Sequence, residues 1–165
     1  MAERAHEYEA KLIWTGNTGE GTASYKSYER SYRVRIGGKP ELEGTADAMF
    51  RGEADKHNPE DLFLTAISAC HMLSYLALCA GRGIRVVSYE DEARGTLVVD
   101  ANGGGRFEEV TLNPTVTIDA EDDADSLQLA ARLHETAHQQ CFIANSCRVP
   151  ILNAPTIHTA SSTKP

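Results

Sequence analysis

The longest uncharged run in the chain predicts a helix over residues 58–80. Between Leu62 and Ala80 there is no Lys, Arg, Asp or Glu, and apolar residues fall on every side of a helical projection. Asn58 is a favourable N-cap, and Pro59 suits the first helical position, where no backbone N–H is needed. Because a helix that is apolar on all sides leaves no face for water, we expect it to be buried in a core.

Shorter segments on both sides of this helix have the alternation or the β-branched content of strands, and turn residues separate them. The predicted strands cover residues 7–14, 23–27, 31–36, 84–90, 93–101, 106–112, 115–118, 149–152 and 156–159. The stretch 40–57, which leads into the long helix, is polar and irregular. We expect a loop there, a position where functional side chains often lie.

A second helix is predicted from the segment 123–126 to Cys141. Its apolar positions are spaced by three and four residues, which gives one inward-facing stripe. This stripe contains Leu127, Ala130, His134, Ala137 and Cys141. The order of strands, long helix, strands, second helix and terminal strand predicts an α+β fold, in which an antiparallel β-sheet packs on the two helices.

The length and charge of the chain limit what it can be. Its 165 residues fit one domain over residues 1–160, followed by a polar tail at 161–165. The net charge of −8 and the pI near 5.2 argue against binding to nucleic acid or to an anionic membrane surface. The first residues carry no apolar signal region, so we expect a cytoplasmic protein.

The long helix has the length of a membrane span, but Thr65, Ser68 and His71 lower its hydrophobicity, and we expect no membrane insertion. A single chain of this size has difficulty covering a helix that is apolar on all sides. A second copy would cover the remaining surface. We therefore expect an intimate homodimer in which the long helices of two chains pack together.

Four cysteines carry the candidate chemistry, and no Cys-x-x-Cys motif joins them: Cys70, Cys79, Cys141 and Cys147. Cys70-His71 and His138-x-x-Cys141 contain the residue types of a zinc site. However, adjacent helical residues point about 100° apart, so Cys70 and His71 do not easily ligate one ion. We expect neither a metal nor a cofactor.

Two segments together resemble the OsmC/Ohr family, the osmotically induced and organic hydroperoxide resistance proteins. The first is Asn58-Pro59-Glu60-Asp61-Leu62, with Cys70 ten residues after Glu60. The second is His138-Gln139-Gln140-Cys141-Phe142-Ile143-Ala144-Asn145-Ser146. Phe142 replaces the proline that usually follows the second cysteine, and Cys147 is an additional thiol. The resemblance is to OsmC-like members of the family, and it implies an OsmC-like intertwined homodimer.

The resemblance implies a peroxidase that reduces organic hydroperoxides, with Cys70 as the peroxidatic thiol and Cys141 as the resolving thiol that forms an intramolecular disulfide with it. The same resemblance implies an activating arginine held by Glu60. Arg51 matches this position best, with Arg30 and Arg33 as alternatives. A dithiol reductant of the lipoyl type is implied in the same way. Cys147 is a competitor for the resolving role.

Elementary chemistry agrees with these roles. The nucleophile toward an O–O bond is a thiolate, and burial alone disfavours a thiolate, so Cys70 needs a cationic partner. Within one helix, Glu60 and Cys70 are separated by ~15 Å along the axis. We therefore expect Glu60 and Arg51 to serve the Cys70 of the other subunit. Cys79 lies ~13 Å along the helix from Cys70, too far for a disulfide, and is expected in the core.

Two other functions use the same residues. A binding module would keep the fold and a pocket without turning over peroxide, and a redox sensor would use the cysteine pair without turnover. The joint presence of Cys70, Cys141 and Glu60 favours the enzyme, because binding alone does not require all three.

Overall fold

A computed structural model describes residues 4–120 and 124–160; the predicted polar tail lies outside the described residues. The chain divides into two compact units, one ending at Leu62 and the other beginning at Phe63. Each unit is described by itself. The prediction of a single domain over residues 1–160 stays a prediction.

The first unit contains a small antiparallel sheet. Its strands are β1 (Lys11–Trp14), β2 (Tyr32–Arg35) and β3 (Leu42–Gly44), in the order β1-β2-β3. A 3₁₀ helix follows at Ala48–Phe50. The predicted loop at 40–57 therefore contains one short strand and one helical turn.

The strand predicted at 23–27 is wrong. This segment forms turns, because hydroxyl side chains bind the backbone locally and compete with a sheet. The backbone N–H of Ser24 donates to Ser27 Oγ at 2.9 Å, and Ser27 Oγ donates to the carbonyl of Gly21 at 3.1 Å.

Helix α1 (Pro59–Gly81) has the predicted ends. Asn58 Oδ1 accepts from the Asp61 backbone N–H at 2.8 Å, and Asp61 Oδ2 accepts from the Asn58 N–H at 3.3 Å, a reciprocal cap. At the other end Gly83 has a φ of 73°, which lets the Ile84 N–H reach the Cys79 carbonyl at 2.9 Å. This is a Schellman ending, and glycine adopts its left-handed residue without strain.

The second unit holds six strands in two three-stranded sheets. The strands are β4 (Val86–Asp91), β5 (Arg94–Val99), β6 (Gly105–Leu112), β7 (Pro114–Ile118), β8 (Ile151–Asn153) and β9 (Thr156–Thr159). Their orders are β4-β7-β9 and β5-β6-β8. The pairs β4–β7 and β5–β6 are antiparallel, whereas β6–β8 and β7–β9 are parallel. The α+β fold class is confirmed, with mixed rather than purely antiparallel sheets in this unit.

Two further helices complete this unit, α2 (Ala124–Gln140) and α3 (Phe142–Asn145). The buried residues of α2 belong to the inward stripe predicted from the sequence or lie next to it. Helix α3 was not predicted. Core side chains from α1, α2, β7 and the connection between α1 and β4 pack together: Tyr75, Cys79, Ile84, Val116, Ile118, Ala130, Leu133 and Ala137.

Within the single chain, helix α1 is buried along one stripe of its surface and not on all sides. Its buried residues, Ile67, His71, Tyr75 and Cys79, recur every four positions. On the opposite side Leu73 is 63% exposed. The helix has the length and composition of a membrane span, a property that it shares with core helices of soluble proteins.

Candidate active site

The two thiols of the predicted redox pair meet in the second unit. Cys70 lies at the middle of α1 and is half-buried, whereas Cys141 directly follows α2 and is 1% exposed. Both are reduced. The side chains of Cys70 and Cys141 interact with each other, although the two residues are 71 positions apart in the sequence.

The environment of Cys141 favours its thiol form. Its pKa is raised to about 11, mainly by burial and also by the adjacent Cys70 thiol, while the Ala144 N–H, which donates to Sγ at 3.4 Å, opposes the shift. Cys141 is therefore almost entirely protonated at neutral pH.

The other two cysteines occupy different surroundings. Cys79 is 1% exposed in the core, where burial raises its pKa and the thiol is inert. Cys147 is half-buried and lines a cavity of about 840 Å³. The ring pair Phe63 and Phe107, with centroids 5.2 Å apart, lines the same cavity.

A pair of buried imidazoles lies directly beside Cys70. His71 Nε2 and His134 Nδ1 are 2.9 Å apart, and the His134 ring stacks on Tyr75 with centroids separated by 3.8 Å. Burial is the main reason why the pKa of His71 falls to about 4 and that of His134 to about 3. Both rings are neutral at pH 7, so one donates and the other accepts in their hydrogen bond.

A carboxylate ties α1 to the strands near this pair. Asp91 accepts a hydrogen bond from Ser68 on α1 through one oxygen and from the Asn113 N–H at 2.7 Å through the other. Its negative charge raises the pKa of His71, against the larger effect of burial. The segment that carries Cys70 is thus fixed to β4 and to the β6–β7 connection.

The predicted activating residues lie in the first unit. Glu60 is in the first turn of α1, and its Oε2 is buried without a hydrogen-bond partner among the described residues. Its charge contributes to raising the pKa of Tyr32, after the larger effect of burial. Arg51 ends the 3₁₀ helix with a φ of 70°, and no ion pair joins it to Glu60 within the described chain.

The two alternative arginines have local partners. The Arg30 guanidinium lies 4.3 Å from the Tyr25 ring centre and 4.1 Å from that of Tyr28, and it donates to both of their carbonyls. Arg33 pairs with Glu41 at 3.4 Å and with Glu43 at 3.3 Å. Arg51 has no such partner in the described residues, which distinguishes it from the other two.

The sequence did not predict the contact between His71 and His134. The sequence did place His134 on the inward stripe of α2. A polar side chain on such a stripe needs a polar partner in the core, and this is the signal that could have predicted a contact with α1. Among the described residues, no cluster of three or more His, Cys, Asp or Glu side chains is arranged to hold a metal ion.

The class of this protein is defined by two features. It has an α+β fold, and a thiol of the long central helix meets a thiol at the end of the second helix. A family model described as OsmC-like protein matches residues 52–152, and the chain belongs to this family. The resemblance to OsmC/Ohr proteins is thereby confirmed.

Three relatives illustrate the likeness. The uncharacterized protein YmaD of Bacillus subtilis is 21% identical over 142 residues, which are 86% of each chain. An OsmC-like protein of unknown function from Vibrio cholerae superposes with a TM-score of 0.81 at 26% identity, over 92% of this chain and 100% of the other. An organic hydroperoxide resistance protein from Elizabethkingia anophelis gives a TM-score of 0.66 at 23% identity, over 96% of this chain and 100% of that chain.

Proposed function

We propose that this protein is a cysteine-based peroxidase that reduces organic hydroperoxides with Cys70 and Cys141. The observation that carries the proposal is the meeting of the two thiols at the packed end of α2. Cys70 is half-buried and therefore open to a substrate, whereas Cys141 is enclosed and faces its partner thiol. This is the arrangement that an attacking thiol and a resolving thiol require.

The reaction has three steps. The Cys70 thiolate attacks one peroxide oxygen, the O–O bond breaks, and the alkoxide leaves as an alcohol after taking a proton, which leaves a sulfenic acid on Cys70. The Cys141 thiolate then attacks this sulfur, which forms the S–S bond and breaks the S–O bond; the hydroxide that leaves takes up a proton and becomes water. An external dithiol reduces the disulfide by exchange and becomes oxidised itself.

Arg51 and Glu60 are proposed as the activating pair. A cation beside Cys70 would favour its thiolate form. Arg51 is available for this role, because the described residues offer it no carboxylate partner, and its left-handed backbone is a strained conformation of the kind that is common at functional sites. The buried, unpartnered oxygen of Glu60 is an acceptor suited to a guanidinium.

A homodimer would bring this pair to the site, and the surface of α1 supports it. Leu73 and Ala77 are exposed on the face opposite the core stripe, and Phe142 beside them is 80% exposed. A groove of about 530 Å³ runs along Ala77, Leu78 and Phe142. We propose that α1 of a second copy covers this apolar face, because water contact with it is unfavourable.

The substrate and reductant classes follow from the family. Related structures are described as organic hydroperoxide resistance proteins, which supports an organic rather than an inorganic peroxide. The family resemblance also favours a dithiol of the lipoyl type as reductant. A cytoplasmic location is part of the proposal, because a catalytic disulfide that a dithiol must reduce in every cycle suits a reducing compartment.

The test is steady-state consumption of cumene hydroperoxide with dihydrolipoamide as reductant. We expect turnover by the native chain, none by Cys70→Ser, and loss of sustained turnover in Cys141→Ser. Cys147→Ser is the matched control and keeps full activity. A Cys70 that does not react with the peroxide would refute the proposal.

The same assay separates the other two functions. Loss of free thiols without turnover identifies a redox sensor. A chain whose thiols do not react at all, but which holds the hydroperoxide, is a binding module. If Cys147→Ser rather than Cys141→Ser stops disulfide formation, the resolving role belongs to Cys147.

A further inference from the structure

The cavity of about 840 Å³ that Cys147 lines lies between helix α1, strand β6 and the segment that joins α3 to β8. Its wall consists of Phe63, three successive residues of β6 (106–108) and the five residues 146–150. Neither Cys70 nor Cys141 is among the described wall residues. The volume is typical of a small-molecule site, so the cavity is large enough to hold a ligand of its own.

One side of this cavity is apolar. The rings of Phe63 and Phe107 stack with centroids 5.2 Å apart and an interplanar angle of 29°. Together with Val149, they pack against a buried cluster that contains Ile67 and Val110. Because the core holds these rings in place, they form a fixed apolar surface for the carbon atoms of a ligand.

The other wall residues include three charged side chains. Arg106 lines the cavity from β6 and Arg148 from the segment before β8, and both are exposed. Glu108 adds one carboxylate. Within the described chain none of the three forms an ion pair. Because guanidinium groups match carboxylates in geometry and charge, the two arginines favour a ligand with carboxylate groups, although the net charge of the chain is −8.

Cys147 adds a nucleophile to the same wall. Its side chain is half-buried and is therefore accessible to a reagent in the cavity. The Cys147 N–H donates to the Ala144 carbonyl at 3.2 Å, which holds this residue at the end of α3. Three positions later, the Pro150 carbonyl accepts from the Val110 N–H at 2.9 Å, which holds the segment against β6. The segment that carries the thiol is thus fixed at both ends.

We propose that this cavity binds the disulfide form of a small peptide thiol and that Cys147 is the site of its covalent attachment. Each half of the ligand carries two carboxylates and one ammonium group. Its carboxylates pair with Arg106 and Arg148, its ammonium group pairs with Glu108, and its carbon chain lies on the ring pair. The charges of the wall and of the ligand are then complementary. This modification is separate from the peroxidase reaction proposed above.

The attachment is a thiol–disulfide exchange. The Cys147 thiolate attacks one sulfur of the bound disulfide, a new S–S bond forms, and the S–S bond of the ligand breaks. The other half of the ligand leaves as a thiolate and takes up a proton. Cys147 is oxidised to a mixed disulfide and the departing half is reduced, so the exchange needs no further oxidant.

The test uses the full chain carrying Cys70→Ser and Cys141→Ser, so that the thiol pair cannot exchange. Glutathione disulfide is the charged probe and 2-hydroxyethyl disulfide the neutral one, and intact-protein mass spectrometry measures the rate of adduct formation. We expect one glutathione adduct per chain, located on Cys147 by peptide mapping. Arg106→Gln and Arg148→Gln should each slow the glutathione reaction about two- to fivefold, the effect of one exposed charge pair, and leave the neutral reaction unchanged.

Arg82→Gln is the matched control. Arg82 is exposed and is not a wall residue of the cavity, so this variant changes the net charge equally without changing the site. Equal slowing by Arg82→Gln would mean that only the net charge matters, and would overturn the site. The absence of an adduct on Cys147, or equal slowing of the neutral reaction by the wall variants, would refute it as well. Circular dichroism verifies the fold of each variant. Because the background lacks Cys70 and Cys141, these outcomes do not depend on the peroxidase proposal.

Discussion

His71 of α1 and His134 of α2 are joined in the core by a hydrogen bond of 2.9 Å between Nε2 and Nδ1. Their rings lie nearly parallel, with an interplanar angle of 12°. Because His71 directly follows Cys70 and His134 lies seven positions before Cys141, this contact fixes the two helices beside the thiol pair. The relative position of Cys70 and Cys141 in the proposed redox site therefore depends on this polar contact inside the core.

Replacing His134 with alanine is expected to destabilise the fold by about 2–4 kcal/mol, because it leaves His71 Nε2 without a partner and opens a cavity under the Tyr75 ring. Guanidinium unfolding measures the change. His158→Ala, at an exposed position, changes the stability by less than about 0.5 kcal/mol. Equal stabilities of the two variants would contradict the role of the pair.

Disulfide formation is expected to accelerate as the pH rises. Burial, the largest cause of the raised pKa of Cys141, persists after Cys70 is oxidised, so the attacking thiolate is scarce at pH 7. The rate of the second step should rise about tenfold per pH unit between pH 7 and 9. Single-turnover experiments that trap the Cys70 sulfenic acid with dimedone measure this rate.

Cys147→Ser should show the same pH profile as the native chain if Cys141 resolves the sulfenic acid. A rate that does not change with pH would mean that Cys141 has a pKa well below 7 in the oxidised enzyme, or that another thiol reacts.

Asp91 and Glu92 are adjacent acids with different expected contributions to stability. Asp91→Ala leaves the Ser68 hydroxyl and the Asn113 N–H without their acceptor and should cost about 1–3 kcal/mol. Glu92→Ala is the matched control, because among the described residues the Glu92 side chain forms only an exposed ion pair with Arg94 at 3.7 Å, which is worth little. Thermal and denaturant unfolding of both variants test this difference, and a similar loss in both would disprove it.

Mixed dimers test whether the activating pair comes from the partner. A dimer of one Cys70→Ala chain and one Glu60→Ala chain retains one site with an intact Cys70 and an intact Glu60 only if the two come from different subunits. We expect each pure variant to be inactive and the mixture to regain peroxidase activity. Chains that fail to complement after refolding together, while still dimeric by light scattering, would place Glu60 and Cys70 of one site in the same subunit.

Leu73→Glu should convert the proposed dimer to a monomer, because it places a charge on the exposed apolar face of α1. Leu152→Glu is the control, since Leu152 is also exposed, at 49%, but lies on β8. Light scattering measures the mass of each variant. A dimer through α1 predicts that Leu73→Glu is a monomer and that Leu152→Glu stays a dimer. If the chains do not associate through this face, both variants have the same mass as the native protein.

The sequence by itself determined the two main helices, the ends of α1, the α+β class and the family. These features depend on local physics, because a capping side chain, a glycine after a helix and a repeat of apolar positions act within a few residues. Strand alternation was equally informative for β2 and β9. It failed at residues 23–27, where serine side chains bind the backbone in turns.

The tertiary structure alone decided which residues meet. Three features join segments far apart in the chain: the parallel pairing of β8 with β6 and of β9 with β7, the contact of His71 with His134, and the position of Cys141 beside Cys70. It also showed that one chain covers only one stripe of α1, which apolar composition did not reveal. The physical reason is that long-range contacts are set by how whole elements pack, whereas sequence periodicity reports only which face of each element avoids water.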